Sequence, residues 1–335
     1  MAACIAPNQI ARISAPDLSR DLDLTNDELS YLLDLALDVK HSPRDYARSL
    51  AGISIALLFE KASLRTRLTF ELAIKQLGGD SVFSEGPIGA REPIKDVARN
   101  LDRWVNAIVA RTFSQRTIEE LARWSSVPVI NALSDMYHPC QALADFLTLK
   151  ERFGNLAGLK LAFCGDGNNV AHSLMLTAAR LGADFAIATP HGYEPNPEIV
   201  SQADGLAAVT GSTLLLTEDP AEAIDGAHAV YTDVWASMGQ EKEAVKRRKA
   251  FAPYQVNDAL FALARPDAVF MHCLPAHREE EVTDSVIEHS RSVVFDQAEN
   301  RLHAQKAILL MLLGSGRRTP NSRDRGLQAR RSLSS

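Results

Sequence analysis

Short apolar runs alternate with segments of helical periodicity along almost the whole chain, and this alternation constrains the fold more than any other feature. The strand-like runs of the first half are 53–59 (ISIALLF), 106–111 (NAIVAR) and 127–131 (VPVIN). Those of the second half are 159–164, 184–189, 213–217, 227–232, 267–272 and 292–295. Strands that alternate with helices predict mostly parallel sheets covered by helices, which is an α/β fold.

The segments between these runs predict helices and a division into two domains. Thr25 and Glu28 have the spacing of a capping box at the start of a helix over 25–40. Further helices are predicted over 66–77, from Pro93, over 115–124, over 139–152 and over 299–313. We expect domains at 1–150 and 151–298, with the helix 299–313 packing back on the first and a basic, disordered tail over 315–335.

Composition and charge exclude several classes of protein. The chain has 335 residues and a net charge of −6, which argues against a nucleic-acid-binding surface. No apolar stretch approaches the length of a membrane span and the N-terminus lacks a signal-peptide pattern, so we expect a cytoplasmic protein that does not bind membranes. The four cysteines stand far apart without a CxxC pair, which makes a disulfide framework or a structural zinc site unlikely to form.

Six clusters of polar residues lie at or after the carboxyl ends of predicted strands. In open parallel sheets, ligands bind beyond the carboxyl ends of the strands. We therefore expect all six clusters at one edge, gathered in an active site in the cleft between the two domains. The clusters are SLRTR (63–67), Arg111, HPCQ (138–141), GDGNN (165–169), DVWASMG (233–239) and HCLPAH (272–277).

Arg65 and Arg67 stand where a helix is predicted to begin, although a helix N-terminus disfavours cations. With the hydroxyls of Ser63 and Thr66 and the free backbone N–H groups of the first turn, they form a cradle for a phosphate. Taken singly, these residues have simpler interpretations. An arginine at a surface turn is usually solvated, and Arg111 is then a charge at the end of a strand. His138 and Gln141 have one too, as a capping imidazole and an exposed amide.

The second half of the chain leaves alternatives open. GDGNN resembles a dinucleotide-binding turn only weakly, because Val170 stands where the third glycine is needed. Its two asparagines either cap a helix or bind a ligand. Asp233 has the alternative of an N-cap and Cys273 that of a small buried hydrophobic residue, while His272 beside Cys273 is too little for a metal site.

SLRTR, HPCQ, DVWASMG and HCLPA, in this order and at these spacings, resemble the ornithine carbamoyltransferases. The resemblance covers residues 10 to 313. SxRTR and HPxQ are shared with aspartate carbamoyltransferases, whereas SMG and HCLP point to ornithine as the second substrate. The resemblance implies transfer of the carbamoyl group of carbamoyl phosphate to the δ-amino group of L-ornithine, which gives L-citrulline and phosphate. It also implies a role in arginine metabolism and a reaction without a metal or organic cofactor.

The resemblance also implies a role for each matching residue. The catalytic residues are Arg65, Arg111, His138, Asp233 and Cys273. Carbamoyl phosphate is bound by Ser63, Leu64 (through its backbone), Arg65, Thr66, Arg111, His138, Gln141, Cys273, Leu274 and Arg301. Ornithine is held by Asn169, Asp233, Ser237 and Met238.

The family forms trimers or multiples of trimers, so a homotrimer is expected. Pro87, in the loop SEGPIGARE, departs from the family pattern of a glutamine or histidine that reaches a neighbouring subunit's site. A proline cannot make that side-chain hydrogen bond. The competing hypotheses are a transferase for another amine, a non-catalytic binding protein for an amino acid or phosphate, and a nicotinamide-dependent dehydrogenase.

Overall fold

A computed structural model describes residues 5–236 and 243–314, and the chain divides into two compact units. Unit 1 comprises Met1–Ser134 and Leu302–Ser335, and unit 2 comprises Asp135–Arg301. The predicted tail at 315–335 lies outside the described residues. Within 5–236 and 243–314, no helix combines the length and the apolar character needed to cross a membrane.

Unit 1 is built on a parallel sheet with the strand order β2-β1-β3-β4. Strand interiors and helices meet in an apolar core that includes Leu58, Ile108 and Leu121. The strands are β1 (Ser54–Phe59), β2 (Asp80–Glu85), β3 (Ala107–Arg111) and β4 (Val129–Leu133). The helices that precede or connect them are α1 (Asn26–His41), α2 (Leu64–Gln76), α3 (Ile94–Trp104) and α4 (Gln115–Trp124).

Unit 2 is built on a second parallel sheet, with the strand order β7-β6-β5-β8-β9. Its strands are β5 (Lys160–Cys164), β6 (Asp184–Ala188), β7 (Leu214–Thr217), β8 (Ala229–Thr232) and β9 (Val269–His272). Its helices are α5 (Pro139–Phe153), α6 (Asn169–Leu181), α7 (Pro197–Thr210), α8 (Pro220–Ile224), α9 (Ala244–Phe251), α10 (Asp258–Phe261) and α11 (Asp284–Ile287). The last helix, α12 (Val294–Leu313), begins in unit 2 and belongs to unit 1 from Leu302 onward.

Each sheet contains a topological switch point, which is the position where ligands bind in open α/β sheets. In unit 1, β1 has β2 on one side and β3 on the other, so the chain leaves β1 toward one neighbour and later returns beside its other edge. In unit 2, β5 stands in the same relation to β6 and β8. The carboxyl ends of β1 and β3, and those of β5 and β8, are therefore the positions where a crevice for a ligand is expected.

The capping box predicted at the start of α1 is confirmed. The Thr25 hydroxyl accepts a hydrogen bond from the Glu28 N–H at 3.1 Å, and the Glu28 carboxylate accepts one from the Thr25 N–H at 2.7 Å. The following apolar face, which includes Leu29 and Leu32, is buried. Burial of this face and satisfaction of the first N–H groups together explain why the helix begins at this point.

Two elements differ from the sequence interpretation. The strand predicted at 292–295 is wrong: Ser292 makes only an isolated bridge to Phe270, and α12 begins at Val294. Short apolar runs fit a strand and a buried helix start equally well, and here the helix prevails. Conversely, the edge strand β2 was not predicted, because Asp80–Glu85 is almost entirely exposed and carries no apolar periodicity.

The end of α12 contacts the N-terminal segment of unit 1. The Ile13 N–H donates to the carbonyl of Met311 at 3.2 Å, and the Arg12 guanidinium donates to the carbonyl of Gly314. These bonds satisfy carbonyl groups that the last turn of a helix otherwise leaves open.

Replacement of the α1 cap should measure its contribution to stability. Thr25→Ala removes the oxygen that satisfies the Glu28 N–H, so we expect the free energy of unfolding to fall by about 1 kcal/mol. Thr25→Ser keeps the oxygen and should stay close to the wild type. Urea unfolding of both variants checks this, and equal losses for serine and alanine would contradict the capping role.

Candidate active site

The turn between β1 and α2 holds the predicted phosphate cradle. Ser63 is the N-cap of α2, and its hydroxyl accepts a hydrogen bond from the Thr66 N–H at 3.3 Å. The Leu64 side chain is 71% exposed and so contributes little packing, whereas Arg65 is half-buried. The helix start therefore presents its first backbone N–H groups in the same turn that carries Arg65, and a helix N-terminus is a favourable place for an anion.

Arg111 reaches the same turn from the neighbouring strand. It ends β3 opposite Phe59, the last residue of β1, so the parallel register places it beside the start of α2. Its Nη1 donates to the Thr66 hydroxyl at 3.3 Å, and Thr66 is itself buried. The structure thus brings Thr66 and Arg111 into contact at the switch point of unit 1, in the helix turn that also carries Arg65, and their binding of a phosphate stays a prediction.

Glu60 organises the loops around this turn, a role that sequence reasoning did not assign. One carboxylate oxygen accepts from the Ile88 N–H at 2.9 Å and the other from the Phe113 N–H at 2.8 Å. These two bonds hold the loops that follow β2 and β3. Pro87, adjacent to Ile88, is exposed.

Arg67 is engaged away from the predicted anion site. Its Nε donates to Glu71 at 2.9 Å, and its guanidinium carbon lies 3.6 Å from the centre of the Phe83 ring. The expectation that both arginines of SLRTR serve the anion therefore needs correction, because Arg67 braces α2 against β2 instead. Sequence alone does not separate two arginines that are two positions apart.

The HPCQ motif begins α5 in unit 2. His138 is the residue before the helix and is buried, and its backbone N–H donates to the Ser173 hydroxyl at 2.8 Å. Gln141 is also buried, and its Nε2 donates to Asp145 at 2.7 Å. The alternative interpretation of Gln141 as an exposed surface amide is therefore excluded.

Three strand ends of unit 2 bring Asn168, Asp233 and Cys273 together. Because β8 lies between β5 and β9, the residue after β8 has the residues after both neighbours at its sides. The Asn168 amide donates to one Asp233 oxygen at 2.9 Å, and the Cys273 thiol donates to the other at 3.0 Å. Asp233 is 6% exposed, so its carboxylate is buried but hydrogen-bonded on both oxygens.

The asparagine that contacts Asp233 is Asn168, and its neighbour Asn169 is the residue that the family resemblance assigns to ornithine binding. Asn168 also caps α6, because its side-chain oxygen accepts from the N–H groups of Val170 and Ala171 at 2.9 and 3.1 Å. Asn169, the first residue of α6, is half-buried. Of the two alternatives left open for these asparagines, capping is confirmed for Asn168, which also holds Asp233, and ornithine binding by Asn169 stays a prediction.

Burial, and then the charge of Asp233, raise the pKa of the Cys273 thiol well above its usual range. Cys273 is consequently a protonated thiol at neutral pH, which acts as a hydrogen-bond donor to Asp233 and not as a nucleophile.

His272 shapes the HCLP turn from its buried position. Its Nδ1 accepts from the Leu274 N–H at 2.9 Å, so its Nε2 carries the proton and donates to Glu281 at 3.1 Å. Leu274 has a φ of 56°, a left-handed conformation that this bond helps to hold. Asp233, His272 and Cys273 have potential metal-ligating atoms within 4.8 Å of one another, but both ring nitrogens of His272 already serve the chain itself.

The glycines of GDGNN serve the chain's own packing. A Cβ atom at Gly167 would lie 2.2 Å from the backbone nitrogen of Pro195, and the Gly167 N–H donates to the Tyr193 carbonyl at 2.9 Å. The space that a dinucleotide pyrophosphate needs beside this glycine is filled by the loop after β6. This packing disfavours the dehydrogenase hypothesis.

A buried ion pair contacts the chain just after β8. Arg247, on α9, donates to Asp166 at 2.8 Å and to the Trp235 carbonyl at 2.9 Å. Burial raises the pKa of Asp166 to about 6, and the Arg247 charge opposes that rise. Arg247 was missed because it lies in the basic run KRRK, which is typical of a solvated helix. Ser237 and Met238, the predicted ornithine ligands of this segment, lie outside the described residues.

Arg301 is the buried cation of this half-site. It lies on α12, one turn after Gln297, and is 3% exposed. Its positive charge lowers the pKa of both Asp145 and Cys273, although burial raises both pKa values more strongly.

The predicted site residues are divided between the two units. Unit 2 contains His138, Gln141, Asn169, Asp233, Cys273, Leu274 and Arg301, and unit 1 contains Ser63, Leu64, Arg65, Thr66 and Arg111.

The raised pKa of Cys273 predicts slow alkylation. Iodoacetamide reacts with the thiolate, so at about pH 8 Cys273 should react more slowly than a free cysteine, whose pKa is about 8.5. Asp233→Asn removes a charge that raises the pKa, so alkylation should become faster. Mass spectrometry of the Cys273 peptide measures the rate, with Asp267→Asn, an exposed carboxylate, as the matched control. A slower or unchanged rate in Asp233→Asn would contradict this electrostatic coupling.

Comparisons with known proteins assign the family. Residues 17–151 match the family model for the carbamoyl-P binding domain of aspartate/ornithine carbamoyltransferase, and residues 157–312 match that for its Asp/Orn binding domain. The chain is 51% identical to the ornithine carbamoyltransferase of Halalkalibacterium halodurans over 310 residues, which are 91% of this chain and 97% of the relative. It is 52% identical to the anabolic ornithine carbamoyltransferase of Pyrococcus furiosus over 270 residues, 80% of this chain and 86% of the relative.

The fold agrees with that assignment. A solved structure of ornithine carbamoyltransferase from Pyrococcus furiosus matches with a TM-score of 0.89 at 48% identity, covering 92% of this chain and 100% of that chain. The α/β architecture of two parallel sheets and the family resemblance predicted from the sequence are both confirmed. The chain belongs to the aspartate/ornithine carbamoyltransferase family.

Proposed function

We propose that this chain is an ornithine carbamoyltransferase that converts carbamoyl phosphate and L-ornithine to L-citrulline and phosphate. The observation that carries the choice of ornithine is the buried Asp233 carboxylate, bonded to Asn168 and to the protonated Cys273 thiol. A buried anion favours a substrate with amino groups and opposes an acidic substrate such as aspartate. The anabolic name of the Pyrococcus furiosus relative favours the biosynthetic direction in arginine metabolism.

Carbamoyl phosphate is held in this proposal by charge-assisted hydrogen bonds. Its phosphate lies at the start of α2, bound by Ser63, by the backbone of Leu64, and by Arg65, Thr66 and Arg111. The Thr66 hydroxyl accepts a hydrogen bond from Arg111, which links these two residues at the start of α2. Gln141, Arg301, Cys273 and Leu274 lie around the carbamoyl end.

Ornithine is held through its amino acid groups and its δ-nitrogen. Asn169, Asp233, Ser237 and Met238 bind the α-amino and α-carboxylate groups. The thiol of Cys273 lies beside the δ-nitrogen and, as a protonated group, positions this amine without reacting with it.

The reaction is an attack of the neutral δ-amine on the carbonyl carbon. The new N–C bond forms a tetrahedral intermediate whose oxygen carries the negative charge. Arg65, Arg111 and His138 donate to that oxygen, and one such donor contributes about 3 kcal/mol in comparable sites. The C–O bond to phosphate then breaks, and the departing phosphate takes the proton that the amine loses. Alignment of the two reactants contributes much of the remaining rate enhancement.

We also expect a homotrimer or a multiple of trimers. Leu64, Leu68 and Leu72 recur every four residues along α2 and are 71%, 45% and 44% exposed, which forms an apolar stripe on one helix face. Such a stripe is typical of a surface that another chain covers. The mass of the assembly in solution tests this expectation. The cytoplasmic location expected from the sequence stays a prediction.

The decisive experiment measures citrulline formation from carbamoyl phosphate and L-ornithine, beside putrescine, aspartate and N-acetylornithine, with phosphate release followed in parallel. Turnover with ornithine alone supports the proposal. Turnover with another amine would overturn the assignment of Asp233 and Cys273, and no turnover with any amine would favour the binding-protein hypothesis.

Arg65→Ala should weaken carbamoyl phosphate binding by at least about tenfold, because it removes charge-assisted hydrogen bonds to the phosphate. Arg67→Ala is the matched control: it removes an arginine two positions away that pairs with Glu71, so carbamoyl phosphate affinity should stay near the wild type. Calorimetric titration compares the two. Equal losses in both variants would contradict the placement of the anion beside Arg65.

Asn168→Ser separates the cap of α6 from the support of Asp233. Serine keeps an oxygen for the helix N–H groups but is too short to replace the amide bond to the buried Asp233, so the free energy of unfolding should fall by about 1–3 kcal/mol, less than in Asn168→Ala, which also loses the cap. The KM for ornithine should rise while that for carbamoyl phosphate does not. Asn168→Ala should lose both functions, and a serine variant with an unchanged ornithine KM would show that Asp233 does not need this bond.

A further inference from the structure

Asp145 is a completely buried carboxyl group to which the proposed mechanism gives no role. It lies on α5 one turn after Gln141. Its Oδ1 accepts hydrogen bonds from Nε2 of Gln141 at 2.7 Å and from Nε2 of Gln297 at 2.6 Å, and its Oδ2 accepts from the Tyr231 hydroxyl at 3.1 Å. A buried carboxylate is costly without such donors, so three converging donors indicate a specific purpose.

The backbone of His272 determines how the amide groups of this cluster are oriented. A backbone N–H only donates, and that of His272 contacts the Gln297 side chain at 2.9 Å, so the Gln297 atom facing it is the oxygen Oε1. The NH2 group of Gln297 then necessarily faces Asp145. Oδ1 of Asp145 is thereby fixed as an acceptor. The orientation of the Gln297 amide follows from the donor character of the His272 N–H, so it does not depend on how the amide oxygen and nitrogen were assigned.

The same logic orients Gln141. Because Oδ1 of Asp145 accepts, Gln141 presents its NH2 group to it, and its carbonyl oxygen Oε1 points to the other side. That oxygen is buried and has no hydrogen-bond partner among residues 5–236 and 243–314. Buried acceptors are nearly always satisfied, so this one is suited to an N–H donor from a ligand.

We propose that Asp145 is a positioning residue that locks the Gln141 amide with its oxygen toward the substrate, where it accepts a hydrogen bond from the NH2 group of a carbamoyl ligand. The proposal rests on the function proposed above. It means that the chain recognises the carbamoyl group as an amide, and distinguishes it from an acetyl group of the same shape, through a contact that Asp145 orients from behind.

The charge state of Asp145 sets the conditions of the test. Burial raises the pKa of Asp145 to about 7, while the bonds from Gln141, Gln297 and Tyr231 and the charge of Arg301 oppose that rise. Above this pKa the group is a carboxylate, which only accepts. Measurements at about pH 8.5 therefore keep the arrangement described here.

The experiment compares two phosphonates that differ only in the group to be recognised. Phosphonoacetamide carries an NH2 group, and acetonylphosphonate carries a methyl group in the same place. The dissociation constants of both are measured by calorimetry for the wild type, Asp145→Asn, Gln141→Leu and the double variant. We expect the wild type to prefer phosphonoacetamide by about tenfold, the effect of one hydrogen bond.

Asp145→Asn should lower that preference, because a neutral amide is a weaker acceptor than a carboxylate and can turn either its oxygen or its NH2 group toward Gln141. The affinity for acetonylphosphonate should change less than about twofold, within the effect of a neutral contact. Gln141→Leu should remove the preference, and the double variant should lose no more than Gln141→Leu alone. The kcat/KM for carbamoyl phosphate should fall in parallel, with the KM for ornithine unchanged.

Asp17→Asn is the control for loss of a buried carboxylate. Asp17 is 5% exposed and accepts from the Val129 N–H at 2.9 Å in unit 1, so its replacement should leave the preference intact. If Asp145→Asn does not fold, Tyr231→Phe removes only one donor to Asp145 and should lower the preference partially.

The outcomes separate the inference from the proposed function. A wild type that binds neither phosphonate contradicts the function itself. A wild type that binds both equally, an Asp145→Asn variant that weakens both to the same extent, or a preference that stays unchanged in Asp145→Asn or Tyr231→Phe overturns the positioning role. A lowered preference in Asp145→Asn with acetonylphosphonate binding retained supports it.

Discussion

The parallel pairing of β5, β8 and β9 is the constraint on which the candidate site of unit 2 depends. Parallel strands end at the same edge of a sheet, so the residues that follow them become neighbours although the sequence separates them widely. Asp233, which follows the middle strand, thereby obtains Asn168 on one side and Cys273 on the other. A shift of either register by one residue would move these side chains out of reach and leave a buried carboxylate without donors.

The same principle acts in unit 1 with a different chemical result. The end of β3 lies opposite the end of β1, so Arg111 meets the first turn of α2 and orients Thr66. One sheet edge collects cationic donors and helix N–H groups, and the other collects a carboxylate, a thiol and amides. The first collection suits an anionic phosphate group, and the Asp233 carboxylate of the second suits an amino group.

Much of the fold was predictable from the sequence, because buried parallel strands are apolar runs bounded by turns. The exceptions have physical reasons. The edge strand β2 buries almost none of its side chains and so carries no pattern, and the run at 292–295 is apolar because a helix start is buried there. Compact motifs pointed to residues that the structure places in contact at the strand ends, such as Thr66 with Arg111 and Cys273 with Asp233.

Residues that act through other residues were not found in the sequence. Arg247 lies in a run of basic residues, and Asp145 is one acidic residue in an apolar helix, so neither stands out until the fold shows its partners. Arg65 and Arg67 show the reverse case, since their spacing suggested that both bind the anion, whereas Arg67 contacts Glu71 and Phe83. The periodicity of apolar residues indicates which side chains are buried. Which partner a polar side chain contacts depends on residues that are distant in the sequence.

Asn168 satisfies the first turn of α6 with its oxygen and Asp233 with its nitrogen, both through one planar amide group. Local helix stability and the chemistry at the strand ends are thus properties of the same three atoms. A change of substrate that required a different group beside Asp233 would therefore have to find a residue that still begins the helix, and few side chains offer an acceptor and a donor at this spacing. The cap of α6 in this way narrows the routes by which the specificity of the site can evolve.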